Sequence, residues 1–324
     1  MKLDITRQPF PLVLASSLVL TGIGFAFGLP LHATPASPAT PIGQIIDNLQ
    51  VSFPVPALII VIAAALYCAY MTTRTTVRYE LHVRRTYITM ILFTIMACMI
   101  FNGEAWLRNW ICMTLLLQTC ICYEHGFKRS YRFGEIFRGS FYLGLLPLIY
   151  APAATLLLLM PAMIFLFNRP ARELPSAIVG LALPTLMASY IYWAAGYDFG
   201  YLAEMTVAAI YAPSGYSLFG NIPMPELILL GVILFTLLMA TGIYATSAGG
   251  FKFRARRIQL FNIFIFVLTM LSALLPGHDI CSLALTAIPC SVIMPVFFTH
   301  VDTRISLSLY TAILALSLYT IAIH

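Results

Sequence analysis

Long apolar runs, each broken by a few polar residues, dominate the chain from end to end. A helix that crosses a membrane needs about 20 mostly apolar residues. Runs near that length occupy 11–29, 55–71, 87–101, 106–122, 137–150, 152–167, 175–195, 227–246, 258–275, 283–298 and 305–323. The pattern predicts an all-α fold, a polytopic transmembrane helical bundle of eleven passes with ten to twelve as its range. The runs 87–101, 137–150 and 283–298 are short, and only Ala151 separates 137–150 from 152–167. Pro147, Pro152 and Pro161 would kink any helix there. The apolar pattern thus leaves open two passes or one bent helix at 137–167.

The basic residues bear on that choice, because Lys and Arg concentrate in cytoplasmic loops. With the N-terminus cytoplasmic, 17 of the 18 Lys and Arg residues fall on one side, Arg108 being the exception. Merging 137–150 with 152–167 would move Arg169 and Arg172 outside and invert everything after them. The charges therefore favour two passes there and an external C-terminus. The first run could instead be a cleaved signal peptide, given Lys2, Arg7 and the small residues at 33–36, but it is long for that role.

Composition agrees with the pattern. Of 324 residues, 60% are hydrophobic and 9% charged, against about 25% charged in a soluble domain. That excludes a soluble enzyme, a nucleic-acid-binding domain and a disordered chain. The net charge of +6 is explained by the basic loops and calls for no nucleic-acid partner. The cysteines read as small apolar fillers; Cys120 and Cys122 lack the second pair that a zinc site needs. No phosphate-binding loop, HExxH or GxSxG motif occurs, and the reading expects neither metal nor cofactor.

Candidate chemistry lies in the external loops, about 30–54 and 196–226, each with a short interfacial helix. In the first, Ile42, Ile45, Ile46, Leu49 and Phe53 recur at helical spacing, with Asp47 on the solvated side. In the second, 199–212 forms an amphipathic helix with Leu202, Met205, Ala209 and Ile210 on its apolar stripe. Proline and glycine residues after it, among them Pro213, Gly215 and Pro223, force turns. Asp198 and Glu204 there are the candidate catalytic residues, as general base or proton carrier. Glu104, Arg108 and Asn109, opening the fourth run, are the candidate substrate-binding group. Glu104 and Arg108 stand four apart and could neutralise each other; alternatively, Arg108 could hold a lipid phosphate by charge-assisted hydrogen bonds. On the cytoplasmic side, the basic loop holding Glu124 and His125 suits anionic lipid headgroups, with His125 exposed. No run carries a charge near its middle, which argues against an ion-coupled carrier.

Three stretches carry a likeness: Asn102 with Arg108-Asn109; Glu135-Ile136-Phe137-Arg138-Gly139 with Leu143-Gly144 and Tyr150-Ala151-Pro152; and Asn168-Arg169-Pro170-Ala171-Arg172-Glu173-Leu174 with Gly180 and Pro184. In these the chain, over about 101–195, resembles a family of polytopic inner-membrane proteins of Bacteroidota grouped as a domain of unknown function. The resemblance implies a bacterial inner membrane and a helical architecture, and no activity. Two functions are therefore expected in parallel. One is an envelope-assembly enzyme acting externally on a lipid-linked glycan of polyprenyl-phosphate type, its partners membrane lipid and that substrate. The other is a transporter, or a scaffold subunit bound to other membrane proteins.

Overall fold

A computed structural model describes residues 8–28, 40–82, 86–100, 104–126, 132–167, 171–213, 224–247 and 251–323. Lys2, Arg7, His32, 33–36, Asn102, Asn168, Arg169, Gly215 and Pro223 lie outside these. The described residues form helices and no strand. In chain order they are α1 (Phe10–Gly28), α2 (Pro41–Ser52), α3 (Pro54–Arg78), α4 (Ile88–Thr94, continued by the π-helical turn Ile95–Ile100) and α5 (Trp106–Gly126). Next come α6 (Phe133–Ile149), a 3-10 helix (Ala151–Leu158) leading into α7 (Leu159–Leu166), α8 (Leu174–Ala194) and α9 (Tyr201–Tyr211). The chain ends with α10 (Met224–Ser247), α11 (Phe253–Ser272), α12 (Ile280–Ile293), α13 (Pro295–His300) and α14 (Thr303–Ile323).

Among the described residues, five stretches are long and apolar enough to cross a membrane: α3, α8, Leu227–Ser247, α11 and the combined Ile280–His300. Their surroundings differ sharply. Some 94% of the apolar window of Ile280–His300 is buried inside the bundle, against 22% for α8. The α12–α13 rod is therefore the central one, and α8 lies at the periphery. Pro295 opens α13 after Met294, so the rod is divided at the proline, whose ring cannot continue a helix unbroken.

Side-chain pairings fix the direction of most of the rods. We call the end where α5 begins the upper end. Arg108 meets Asp279 there, while Arg254 at the start of α11 reaches the Glu124 carbonyl below. Helix α11 thus rises and α12 descends. Thr155 bonds the Leu268 carbonyl and Arg257 the Leu166 carbonyl, so the 3-10 helix and α7 descend along α11. Helix α6 rises, from Arg132 beside Glu173 below to Leu148 and Ile149 beside Thr40 above. The stretch 137–167 is accordingly two antiparallel elements, turned at Tyr150, whose backbone is extended (φ −134°, ψ 101°).

The other rods alternate likewise. Ring contacts Phe10–Tyr87 and Phe25–Trp110 set α1 rising, Arg78 with His125 sets α3 descending, and Tyr244 bonding the Arg256 carbonyl sets α10 descending. Helix α8 ends in a left-handed glycine, Gly196 (φ +97°). Tyr197 N–H returns to the Tyr192 carbonyl and Gly196 N–H to that of Trp193. This paired closure satisfies carbonyls that the helix end would otherwise expose, and it turns the chain into α9.

Candidate functional site

The upper end is assembled from the first turn of α5, the amphipathic α2, the turn between α11 and α12, and α9. Arg108 is the most buried charge there, 1% exposed. A cation in the first turn of a helix faces the positive end of the helix dipole, and a buried one needs compensating charge. Two carboxylates supply it, from distant parts of the chain. Arg108 Nη1 lies 3.1 Å from Asp47 Oδ2 on α2, and Nη2 lies 3.1 Å from Asp279 Oδ2. Asp279 is the N-cap of α12, and its Oδ1 accepts the Ile280 N–H. Its own N–H donates to the Tyr150 hydroxyl, which also pairs with Ser282. One guanidinium therefore ties α2, α5 and α12 into a triad of net charge −1.

The orientation of α2 corrects the sequence expectation. Its buried residues are Pro41, Gly43, Asp47 and Gln50, while Ile45, Leu49 and Phe53 point outward, about half exposed. The polar stripe faces the protein and Ile45, Leu49 and Phe53 face away, while Ile42 and Ile46 pack partly buried against the core. Asp47, expected to be solvated, is 7% exposed. The bundle offers this stripe polar groups that need partners. Gln50 Oε1 accepts the Leu107 N–H of the α5 first turn, and Gln50 Nε2 donates to the Glu104 carbonyl. Thr40 caps α2 by accepting the Gly43 N–H and donates its hydroxyl to the Leu148 carbonyl at the end of α6. Burial pushes the Asp47 carboxyl up to about 6, against the opposing pull of Arg108 and with the help of neighbouring Asp279.

Gln50→Leu should therefore expose the cost of an uncapped α5. It removes one buried and one part-buried hydrogen bond, and leaving a buried partner unsatisfied costs about 1–3 kcal/mol. The unfolding midpoint in detergent should fall, and more than for Asn48→Leu on the exposed side of α2. Equal midpoints would show that Gln50 does not hold the junction.

The other predicted site residues sit at the same end but differ in burial. Glu104 is exposed and Asn109 is 2% exposed. Among the described residues, the Asn109 amide, Asp47 Oδ1 and the Trp106 indole N–H make no hydrogen bond. Asp198 and Glu204 are exposed, the latter in the first turn of α9. Of the expected apolar stripe of α9, Leu202 and Ala209 are buried, Ile210 is half-buried and Met205 is exposed, and Gly277 N–H donates to the Ile210 carbonyl, fixing α9 to the α11–α12 turn. Tyr197, next to Asp198 in the chain, stacks on Tyr201 at 4.8 Å between ring centroids, and Tyr192 meets both rings at 5.8 Å, edge-on to Tyr197 and tilted to Tyr201. The carboxylates placed on Arg108 are thus Asp47 and Asp279, while Asp198 and Glu204 look to the outside.

A second polar cluster, at the lower end, was not visible in the sequence. Glu124 and His125 belong to the last turn of α5 instead of a loop. Glu124 is 4% exposed and its Oε2 makes no hydrogen bond among the described residues. Arg254 lies 4.4 Å from the ring centre of Tyr79 and also reaches the Glu124 carbonyl. Gln259 is buried on α11 with neither amide atom bonded. His82, buried after α3, is held neutral: burial first, then neighbouring His300, lowers it to about 4. No group of three or more His, Cys, Asp or Glu residues suited to a metal ion occurs among the described residues. Comparison of the chain with protein-family models, with curated proteins and with solved structures finds no match.

Proposed function

We propose that the chain is a multi-pass protein of a bacterial inner membrane, kin to the Bacteroidota family it resembles, with eleven passes, a cytoplasmic N-terminus and an external C-terminus. The alternation of rising and descending rods supports the pass number. Arg78, Arg132, Arg254 and Arg257 at the lower end support the orientation, since basic residues stay cytoplasmic.

Within that frame, the upper end acts on a lipid-linked envelope glycan of polyprenyl-phosphate type. The observation that carries this reading is the company kept there. The exposed carboxylates Asp198 and Glu204, the stacked Tyr197 and Tyr201, and buried polar atoms of α5 and α2 that make no hydrogen bond among the described residues all belong to the upper end. Asp198 or Glu204 serves as the general base. Glu104, Arg108 and Asn109 form the floor, and Arg108 reaches a phosphate by exchanging one of its two carboxylates. Asp198→Ala and Glu204→Ala are exposed changes that leave the bundle intact. Loss of the base should lower envelope-glycan synthesis about 100- to 10,000-fold, scored by complementation of a deletion strain with protein level checked by immunoblot. Full complementation by both variants would remove the enzyme reading.

A second reading, a transporter or scaffold, is favoured by Glu124. A carboxyl buried within a membrane bundle marks a proton or solute path more often than a structural accident. Glu124→Gln should then abolish transport or partner capture while Asp198→Ala and Glu204→Ala do not.

A further inference from the structure

The 3-10 helix and α7 leave a groove against α11, running from Leu158 to Leu166 on one wall and Leu260 to Val267 on the other. Eight helical residues advance about 12 Å, so its long axis follows the rods. Its volume is about 560 Å³, within the range of about 300–1,000 Å³ that holds a small-molecule-sized ligand. All its lining residues are apolar, so a polar solute would find no partner in it. Phe165, 77% exposed, and Val267, 52% exposed, show that it opens on the outer surface of the bundle.

The lower end of the groove is cationic. Leu166, its last residue, accepts a 3.0 Å hydrogen bond from Arg257 Nη1. A guanidinium has five donors, and this contact uses one. Arg256 beside it is exposed, whereas Lys252 is already paired with Glu80. An apolar slot along the rods, ending at an arginine, matches an amphiphile with a chain and an anionic head.

We propose that this groove is a binding site for one anionic glycerophospholipid, an acyl chain lying between α7 and α11 and the phosphate held by Arg257. The proposal rests on the membrane reading above and is independent of the enzyme reading. The guanidinium grips the phosphate by charge-assisted hydrogen bonds, and Arg256 adds the attraction of a basic residue near an anionic surface. Phosphatidylcholine with the same chains also carries a phosphate but has no net negative charge, so it fills the groove without the same electrostatic gain.

The test uses the full chain, reconstituted in vesicles of equal phosphatidylglycerol and phosphatidylcholine with matched chains, then released and weighed by native mass spectrometry. Wild-type protein should retain phosphatidylglycerol about tenfold over phosphatidylcholine, the ratio expected when one charged contact separates two ligands. Arg257→Gln should bring the ratio near one while total lipid retention persists. Ala162→Phe, which fills the groove from the lipid-facing side, should lose both lipids at that site. Circular dichroism and monodisperse elution check that each variant is folded, and Arg256→Gln, with no bond to Leu166, should lower the ratio partially. Glycerophosphoglycerol, the chainless headgroup, should not compete. Equal retention of the two lipids by wild type, an unchanged ratio in Arg257→Gln, or displacement by the chainless headgroup would each overturn the proposal. Release of the protein from membranes by alkaline carbonate would instead overturn the membrane reading beneath it.

Discussion

Arg108→Ala should destabilise the protein by about 3–5 kcal/mol, the usual cost of removing one partner from a buried ion pair. The loss is large because two carboxylates, Asp47 and Asp279, would be left facing each other with no cation between them. Differential scanning fluorimetry in detergent micelles should show the midpoint falling further than for Glu104→Ala, which removes an exposed side chain on the same turn. The pH dependence separates this account from simple loss of packing. The Asp47 carboxyl titrates near 6 in the folded protein, above its ordinary 3.8. The folded state therefore binds this proton more tightly than the unfolded state. Its contribution to stability is complete below about pH 4 and is lost as pH rises through 6. Wild-type protein should accordingly lose stability across that window, and Asp47→Asn, which cannot titrate, should show a flatter profile. Without the guanidinium, protonation of Asp47 becomes more valuable still, so the Arg108→Ala penalty should shrink at pH 5 relative to pH 8. A penalty independent of pH would mean that Arg108 acts through its bulk alone.

How much of this was legible depends on how local the cause is. The interfacial helix predicted at 199–212 is found as Tyr201–Tyr211, because its stripe of Leu202 and Ala209 lies at the spacing that α-helical geometry demands. The triad was not legible, since Asp47 and Asp279 lie 61 and 171 residues from Arg108 and only the folded bundle brings them together. Helix α2 was recognised as an interfacial helix, but Asp47 was placed in solvent. The folded chain buries it against Arg108. Gly43, Asp47 and Gln50, at spacings of four and three, mark the inward face. Glu124 was assigned to a loop because the charges after it are dense, yet α5 continues one turn further.

The motif residues between Glu135 and Pro184 also acquire a physical meaning. Several of them meet on one helix pair. Glu173 Oε1 accepts the Arg132 N–H at the foot of α6, and Ser176 reaches the Phe133 carbonyl. Above them, Gly180 of α8 lies against the Phe137 carbonyl, and Gly144 of α6 lies against the Leu181 carbonyl and the Pro184 ring. This part of the pattern encodes close packing of α6 on α8, so a shared sequence here would report a shared bundle before any shared chemistry.

That packing gives the second large effect. In a lipid surround, helices gain little from burying apolar area against each other, and small residues that let backbones approach become the main source of cohesion. A Cβ on Gly180 would stand 2.6 Å from the Phe137 carbonyl oxygen, and one on Gly144 would press on that of Leu181. These obstacles are backbone atoms, which cannot rotate away as a side chain can, so the two helices must separate. Gly180→Val and Gly144→Val should each cost about 1–3 kcal/mol or more, the range of core overpacking. Both act on one interface, so the double variant should fall short of the sum, since the first separation makes room for the second. Gly231→Ala and Gly242→Ala on α10 provide the contrast. Nothing lies within 4 Å of a Cβ at either position, and alanine there should be neutral or stabilise by up to about 1 kcal/mol through its helix propensity. Thermal unfolding midpoints of the four single variants should therefore split into two well-separated pairs. A Gly180→Val protein as stable as Gly231→Ala would mean that α6 and α8 are held by something other than this close approach, and the packing account of these residues would fall with it.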